Sequence, residues 1–179
     1  FELCARGALV GGGRCREQVA LSLRGAQNVS NACGAAAVCI AAGMEFSEVA
    51  TALAQAQPES GRAELVRAKC GAVVFNDAYN AAPESMCAAL ATLASYETAG
   101  RRIAVLGDMG ELGSEEKKLH GMVGTHFAGK KIDALFVTGT LAGEIAEEAR
   151  RVAPETRVYA EPDKEPPKRQ ACRVSISCA

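Results

Sequence analysis

The chain has 179 residues, 49% of them apolar and 23% charged, with 18 glycines and a formal charge of -1. That suits one ordinary globular α/β domain, or one domain and part of a second, and excludes a disordered or fibrous chain. Interspersed, nearly balanced charge gives no electrostatic basis for binding nucleic acid or an anionic membrane.

No apolar run approaches the roughly 20 residues of a spanning helix, and no basic-then-apolar leader opens the sequence, so the expected location is cytoplasmic. The eight cysteines (Cys4, Cys15, Cys33, Cys39, Cys70, Cys87, Cys172, Cys178) include no C-x-x-C pair and mostly have apolar neighbours. They are expected to be free, buried thiols in a reducing compartment. His120 and His126 are six apart, on different faces of a helix, so no metal pair is expected.

In chain order, a short strand at Phe1 leads into the glycine-rich turn "GALVGGGR", and Gln18 to Leu23 alternates apolar and polar as a half-buried strand does. An alanine-rich helix follows, with Asn28 as its expected N-cap and Gly43 as its stop, then a second helix from Ser47 to about Ala56. The polar stretch "QPESGR", Gln57 to Arg62, is the expected domain boundary.

Beyond it, strands over Ala72–Asn76, Arg102–Leu106, Ala134–Thr138 and Arg157–Tyr159 alternate with helices over Pro83–Tyr96, Ser114–Phe127 and Leu141–Val152. Continuous apolar runs between amphipathic helices predict parallel strands covered on both faces, a doubly wound, Rossmann-like α/β domain. The tail "EPDKEPPKRQACRVSISCA" breaks this order, and its adjacent prolines and mixed charges predict disorder.

In such folds ligands sit outside the carboxyl ends of the strands, where this chain places "NDAYNAAP", "GDMGELG" and "TGT". Asn76, Asp77, Tyr79 and Asn80 would then line the binding edge. One polar residue suffices for a strand-to-helix turn, and four point to a ligand. The glycines at 107, 110 and 113 do not have the dinucleotide spacing, and no carboxylate ends the following strand, which argues against a dehydrogenase.

Taken in order, "GAQNVSNACGAAAV", "ESGRAE", "NDAYNAAPESMCAAL", "RRIAVLGDMGELG", "LHGMVG" and "IDALFVTG" resemble the Mur ligases of peptidoglycan synthesis. The likeness is strongest to the branch that joins D-alanyl-D-alanine to UDP-N-acetylmuramoyl-tripeptide. It runs from Phe1 to about Asp163 and implies that 1–57 ends a central ATP-binding domain and 58–163 forms most of a C-terminal Rossmann-like domain, with 164–179 an unrelated tail.

The resemblance implies an ATP- and magnesium-dependent ligase, cytoplasmic and monomeric when complete, that passes through an acyl phosphate. Such chemistry needs a G-x-x-x-x-G-K-[ST] loop, magnesium ligands and a carbamylated lysine, none of which the sequence supplies, so this chain is expected to be inactive alone and assigns no catalytic or metal-binding residue. A non-catalytic nucleotide-binding or interaction module is the alternative from a different class.

Residue by residue, the resemblance implies that Asn28 and Asn31 lie beside the nucleotide, that Arg62 meets the ATP phosphates, and that Asp77 accepts hydrogen bonds from the ribose hydroxyls. Asp108, Glu111 and His120 would face the incoming dipeptide, with Tyr79 and Asn80 further candidates for substrate contact. Departures fall at Gln27, where the family has His, at Asn76, where it often has Asp, and at Ala82, where it has Asn. The family's C-terminal K-G-S signature is absent.

Overall fold

Two extended segments near the start of the chain, β1 (Glu2–Arg6) and β2 (Arg14–Gln18), form an antiparallel pair in which Glu2 faces Gln18 and Arg6 faces Arg14. The computed structural model describes residues 1–161 and 175–176, and the chain divides into the units Phe1–Pro58 and Glu59–Ala179. In the first unit the hairpin is followed by helices α1 (Ala26–Ala41) and α2 (Phe46–Gln55), and Leu3, Val19, Ala36, Ile40, Val49 and Ala50 close its small core.

The strand expected over Gln18–Leu23 lies earlier, at Arg14–Gln18, in register with β1. The Val19 amide donates to the Phe1 carbonyl, and Leu21 packs against the core from a loop. Asn28 is not the cap of α1. Gly25, at φ 98°, takes that position and the helix begins at Ala26, inside which the Asn28 side chain donates back to the Arg24 carbonyl.

The second unit opens with an antiparallel pair, β3 (Glu64–Arg67) and β4 (Val73–Asn76), and continues with α3 (Pro83–Ser95), β5 (Ile103–Leu106), α4 (Glu116–Ala128), β6 (Ala134–Thr138), α5 (Ala142–Val152), β7 (Arg157–Glu161) and β8 (Ser175–Ile176). Strands β5, β6 and β7 are parallel neighbours, and β8 lies antiparallel on the other side of β5. This is the α/β, Rossmann-like arrangement of a parallel sheet with flanking helices, built from the expected alternation of strand and helix.

Two details differ from the expectation. The run ending at Asn76 joins β3 instead of the parallel sheet, because Gly71 at φ 88° permits a tight turn after Ala68 and folds β4 back on its predecessor. One face of the sheet also carries the stacked rings of Phe136 and Tyr159, 4.5 Å apart, which are 40% and 48% exposed and are covered by no helix among the described residues. Of the tail expected to be disordered, residues 162–174 and 177–179 lie outside the described residues, while Ser175 and Ile176 form β8.

The expectation of buried cysteines is overturned at the six that are described, and Cys172 and Cys178 lie outside the described residues. Cys4, Cys33 and Cys70 are exposed, and Cys15, Cys39 and Cys87 are half-buried, all free. At Cys4 and Cys33 the apolar neighbours Leu3 and Ala32 take the inward positions and turn the thiols outward, while Cys70 lies in the β3–β4 turn between Lys69 and Gly71. Among the described residues no helix is long and apolar enough to cross a membrane.

The core of the second unit runs from Phe75 through Met86, Leu90 and Leu93 of α3 to Leu106, Leu135 and Val137 of the sheet and Val123, Phe127, Ile145 and Ala149 of α4 and α5. Helices α4 and α5 approach closely at Gly124, where a Cβ would run into the Ile145 carbonyl oxygen and stand 3.0 Å from the Glu148 Cβ. At Gly121, one turn earlier, a Cβ would meet just the Glu148 Cγ, at 3.1 Å, on a side chain that can swing away.

The two glycines therefore separate packing from propensity. Gly124→Ala is expected to destabilise the unit by about 1–3 kcal/mol through overpacking against backbone. Gly121→Ala is expected to be neutral or to gain up to about 1 kcal/mol from helix propensity. Thermal melts of the two variants beside the parent check both, and equal melting temperatures would contradict the packing described.

Candidate functional site

Strand β4 ends at Asn76, and the next residues lead into α3. Asp77 stands first in that turn. Its Oδ1 accepts a hydrogen bond of 3.0 Å from the backbone amide of Ala63, whereas Oδ2 has no partner among the described residues. Partial burial raises the carboxyl pKa, opposed by the Ala63 amide and the nearby Arg62 charge.

Ala63 holds a left-handed backbone, φ 52°, uncommon for a residue with a Cβ. The turn around it is laced to the strand end and to itself: the Tyr79 amide donates to the Gly61 carbonyl at 3.0 Å, the Gly61 amide to Glu64 Oε2 at 3.1 Å, and the Arg62 amide to the Glu59 carbonyl at 3.0 Å. Gly61 itself is at φ 74°. The result brings the Arg62 guanidinium over the Tyr79 ring, 4.2 Å from its centroid.

Arg62, Asp77 and Tyr79 are thus gathered in one place by a turn and a strand end separated by the β3–β4 ribbon. Asn80 lies at the exposed rim, with its Oδ1 accepting from the Ala81 amide. Ala82 is the residue before α3, and the Ser85 hydroxyl accepts from its amide and donates to its carbonyl.

The second polar cluster is committed to the frame. Asp108, just past β5, accepts from the amide of Thr140 at 3.0 Å and from that of Ala142 at 2.6 Å, so its carboxylate caps the start of α5 from a different loop. Gly139, at φ 124°, leaves the space that this carboxylate fills. His120 is fully buried: its Nε2 accepts from the Met109 amide at 2.9 Å and its Nδ1 lies 2.7 Å from the Glu116 carbonyl, which places the ring proton on Nδ1. Glu111 is exposed and left-handed, φ 61°, at the tip of the same loop.

In the first unit, Asn28 and Asn31 meet one turn apart on α1, the Asn31 amide nitrogen 3.2 Å from Asn28 Oδ1. His126 is half-buried beside the backbone of Cys87, its pKa lowered by burial and by the Lys130 charge, and no group of three potential metal ligands occurs among the described residues. The run Gly124 to Lys131 meets all but the last position of the phosphate-loop pattern. It forms the end of α4, with Gly124 pressed under α5, and lacks the loop-before-helix geometry that binds phosphate.

Sequence reasoning missed Ala63 and Glu64. Neither residue type signals a site, and their contribution lies in a backbone conformation and in bonds to neighbours that only the folded turn creates.

The family described as Mur ligase, glutamate ligase domain, matches residues 61–176, past the point near 163 where the motif resemblance ends. The chain is 37% identical over 138 residues to the UDP-N-acetylmuramoyl-tripeptide--D-alanyl-D-alanine ligase of Bacillus subtilis, covering 77% of this chain and 30% of that protein. It is 35% identical over 121 residues to the ligase of the same name from Escherichia coli, covering 68% and 26%. A crystal structure of MurF from Acinetobacter baumannii superposes with a TM-score of 0.71 at 30% identity, over 83% of this chain and 31% of that one. The chain therefore spans about a third or less of the relatives it matches. With a family match over more than half its length, on the fold and loops described above, the chain belongs to the Mur ligase family.

Proposed function

We propose that the chain is the nucleotide-facing part of an ATP-dependent ligase of peptidoglycan precursor synthesis, one that joins D-alanyl-D-alanine to UDP-N-acetylmuramoyl-tripeptide. Residues 1–57 end its central domain, and those from 58 onward form its C-terminal domain, in the cytoplasm. The observation that carries this reading is the gathering of Arg62 and Asp77 at the strand end, a cation beside a half-buried carboxylate with one oxygen unused. The names and identities of the similar ligases support the substrate assignment.

ATP, when bound, supplies the phosphoryl group that activates a carboxylate toward an amine. The residues of this chain bind and orient. Asp77 Oδ2 accepts from the ribose hydroxyls, while Oδ1 keeps its bond to Ala63. The planar guanidinium of Arg62 meets phosphate oxygens through paired N–H donors. Asn31 keeps its amide oxygen open toward the adenine edge, and Asn28, whose nitrogen donates to Arg24 and whose oxygen accepts from Asn31, positions it. Asp108 and His120 engage polar atoms inside the fold and hold the loops in place. Magnesium and the phosphates of the reacting γ-group require residues beyond those in this chain.

Asp77 tests the nucleotide part. Because its carboxylate also braces Ala63, Asp77→Ala is expected to lower the melting temperature as well as ATP affinity, the latter at least about 10-fold for a lost charge-assisted bond. Asp77→Asn keeps an oxygen for Ala63 and is expected to retain stability while still weakening ATP. Titration with ATP followed by NMR, beside a melt of each protein, checks both; unchanged ATP affinity in the two variants would sink the ribose assignment.

The pH dependence has a definite sign. The folded-state pKa of Asp77 is raised above its ordinary 3.8, so the folded protein favours the protonated acid. Its contribution to stability is present below that value and is lost as pH rises through the raised one. Relative to Asp77→Asn, the parent is expected to lose stability as pH climbs from 3 toward neutrality; a constant difference would contradict the burial described.

The purified chain is also expected to form no ADP when given ATP, magnesium, UDP-N-acetylmuramoyl-tripeptide and D-alanyl-D-alanine. Turnover that depends on both acceptor and donor substrates would overturn the assignment of the reacting groups to residues outside it.

A further inference from the structure

We infer that Tyr79 is a positioning residue for Arg62: its ring is the platform that fixes the plane of the guanidinium and so aims its N–H donors at phosphate. The inference rests on the nucleotide reading given above and adds to it the residue on which that contact depends.

The backbone of Arg62 is held on both sides. Its own amide donates to Glu59, the neighbouring Gly61 bonds to both Tyr79 and Glu64, and Ala63 is tied to Asp77. What remains free is a long side chain with four rotatable bonds, whose wandering would dilute any phosphate contact. The guanidinium lies 4.2 Å from the Tyr79 ring centroid, within the range of a cation–π interaction.

Stacking uses the face of the guanidinium, whereas its five donors point outward in its plane. The two contacts are therefore compatible. A ring beneath the plane removes rotational freedom while leaving the edge open for a bidentate contact with phosphate oxygens, so less order has to be imposed when the ligand arrives.

Tyr79 is itself anchored by its amide to Gly61, the residue just before Arg62. Platform and arginine thus share one rigid turn. The ring is 65% exposed, so it is not there to fill the core. A substitution should accordingly leave the fold intact, which makes the role separable from stability.

The test uses the chain itself with four substitutions. NMR of the Arg62 side chain is expected to show upfield ring-current shifts in the parent and in Tyr79→Phe, and to lose them in Tyr79→Leu. In titrations with ATP and with adenosine, Tyr79→Phe is expected to match the parent. Tyr79→Leu is expected to bind ATP about 2- to 5-fold more weakly and adenosine equally well, the size of an exposed cation–π contact. Arg62→Ala is expected to show the same pattern with a larger loss, and Arg62→Lys, which has no plane to orient, to resemble it.

Absent ring-current shifts in the parent overturn the inference. So does a Tyr79→Leu protein that binds ATP like the parent while Arg62→Ala does not, or one that loses adenosine as much as ATP, since that ring would touch the nucleoside. If Arg62→Ala leaves ATP binding unchanged, the phosphate assignment of Arg62 has failed, and the aiming role falls with it even where the stack itself is seen.

Discussion

Ala63 adopts a left-handed backbone that a side chain makes costly, and the bond from its amide to the Asp77 carboxylate is what holds it there. The rest of the site follows from that bond. It fixes the turn of 59–64 against the end of β4, which sets Arg62 above Tyr79 and leaves one Asp77 oxygen facing outward. Burial of this carboxylate raises its pKa, and the bond from Ala63 and the charge of Arg62 oppose the rise. Its position is determined before any ligand comes.

A second carboxylate does comparable work after β5. Asp108 ties the loop after β5 to the start of α5, across more than thirty residues of sequence, and Gly139 makes room for it. His120 adds a bond from within α4 to the Met109 amide of the same loop. The polar residues of these loops therefore divide by use. Those with two internal partners build the rim, and those with an oxygen or a guanidinium edge still open are available to a ligand.

That division marks the limit of what the sequence could tell. The alternation of strands and helices from β4 to β7 was legible because buried parallel strands read as unbroken apolar runs and their helices as amphipathic ones. The same rule misled at β4, where a Val-Val-Phe run looks identical whether its partner is parallel or antiparallel, and β3 was missed because Glu64-Leu65-Val66-Arg67 is short and half-polar. The motifs singled out Asp77 and Asp108 alike as site candidates. Nothing in the residue types distinguishes a carboxylate that faces outward from one that caps a helix 34 residues away.

The stack of Arg62 on Tyr79 was hidden for a related reason. Seventeen positions separate the two, and they meet because Gly61 and Ala63 both turn left-handed and a two-stranded ribbon returns the chain beside them. Arginine after a boundary glycine and tyrosine two places after an aspartate are each readable as separate marks. Their coupling is a property of the turn geometry, which depends on Asp77 reaching back to Ala63. The residue that would face the ribose in our reading is therefore also the one that brings Arg62 to its platform, so in that reading ribose and phosphates would be met by groups that cannot be repositioned independently.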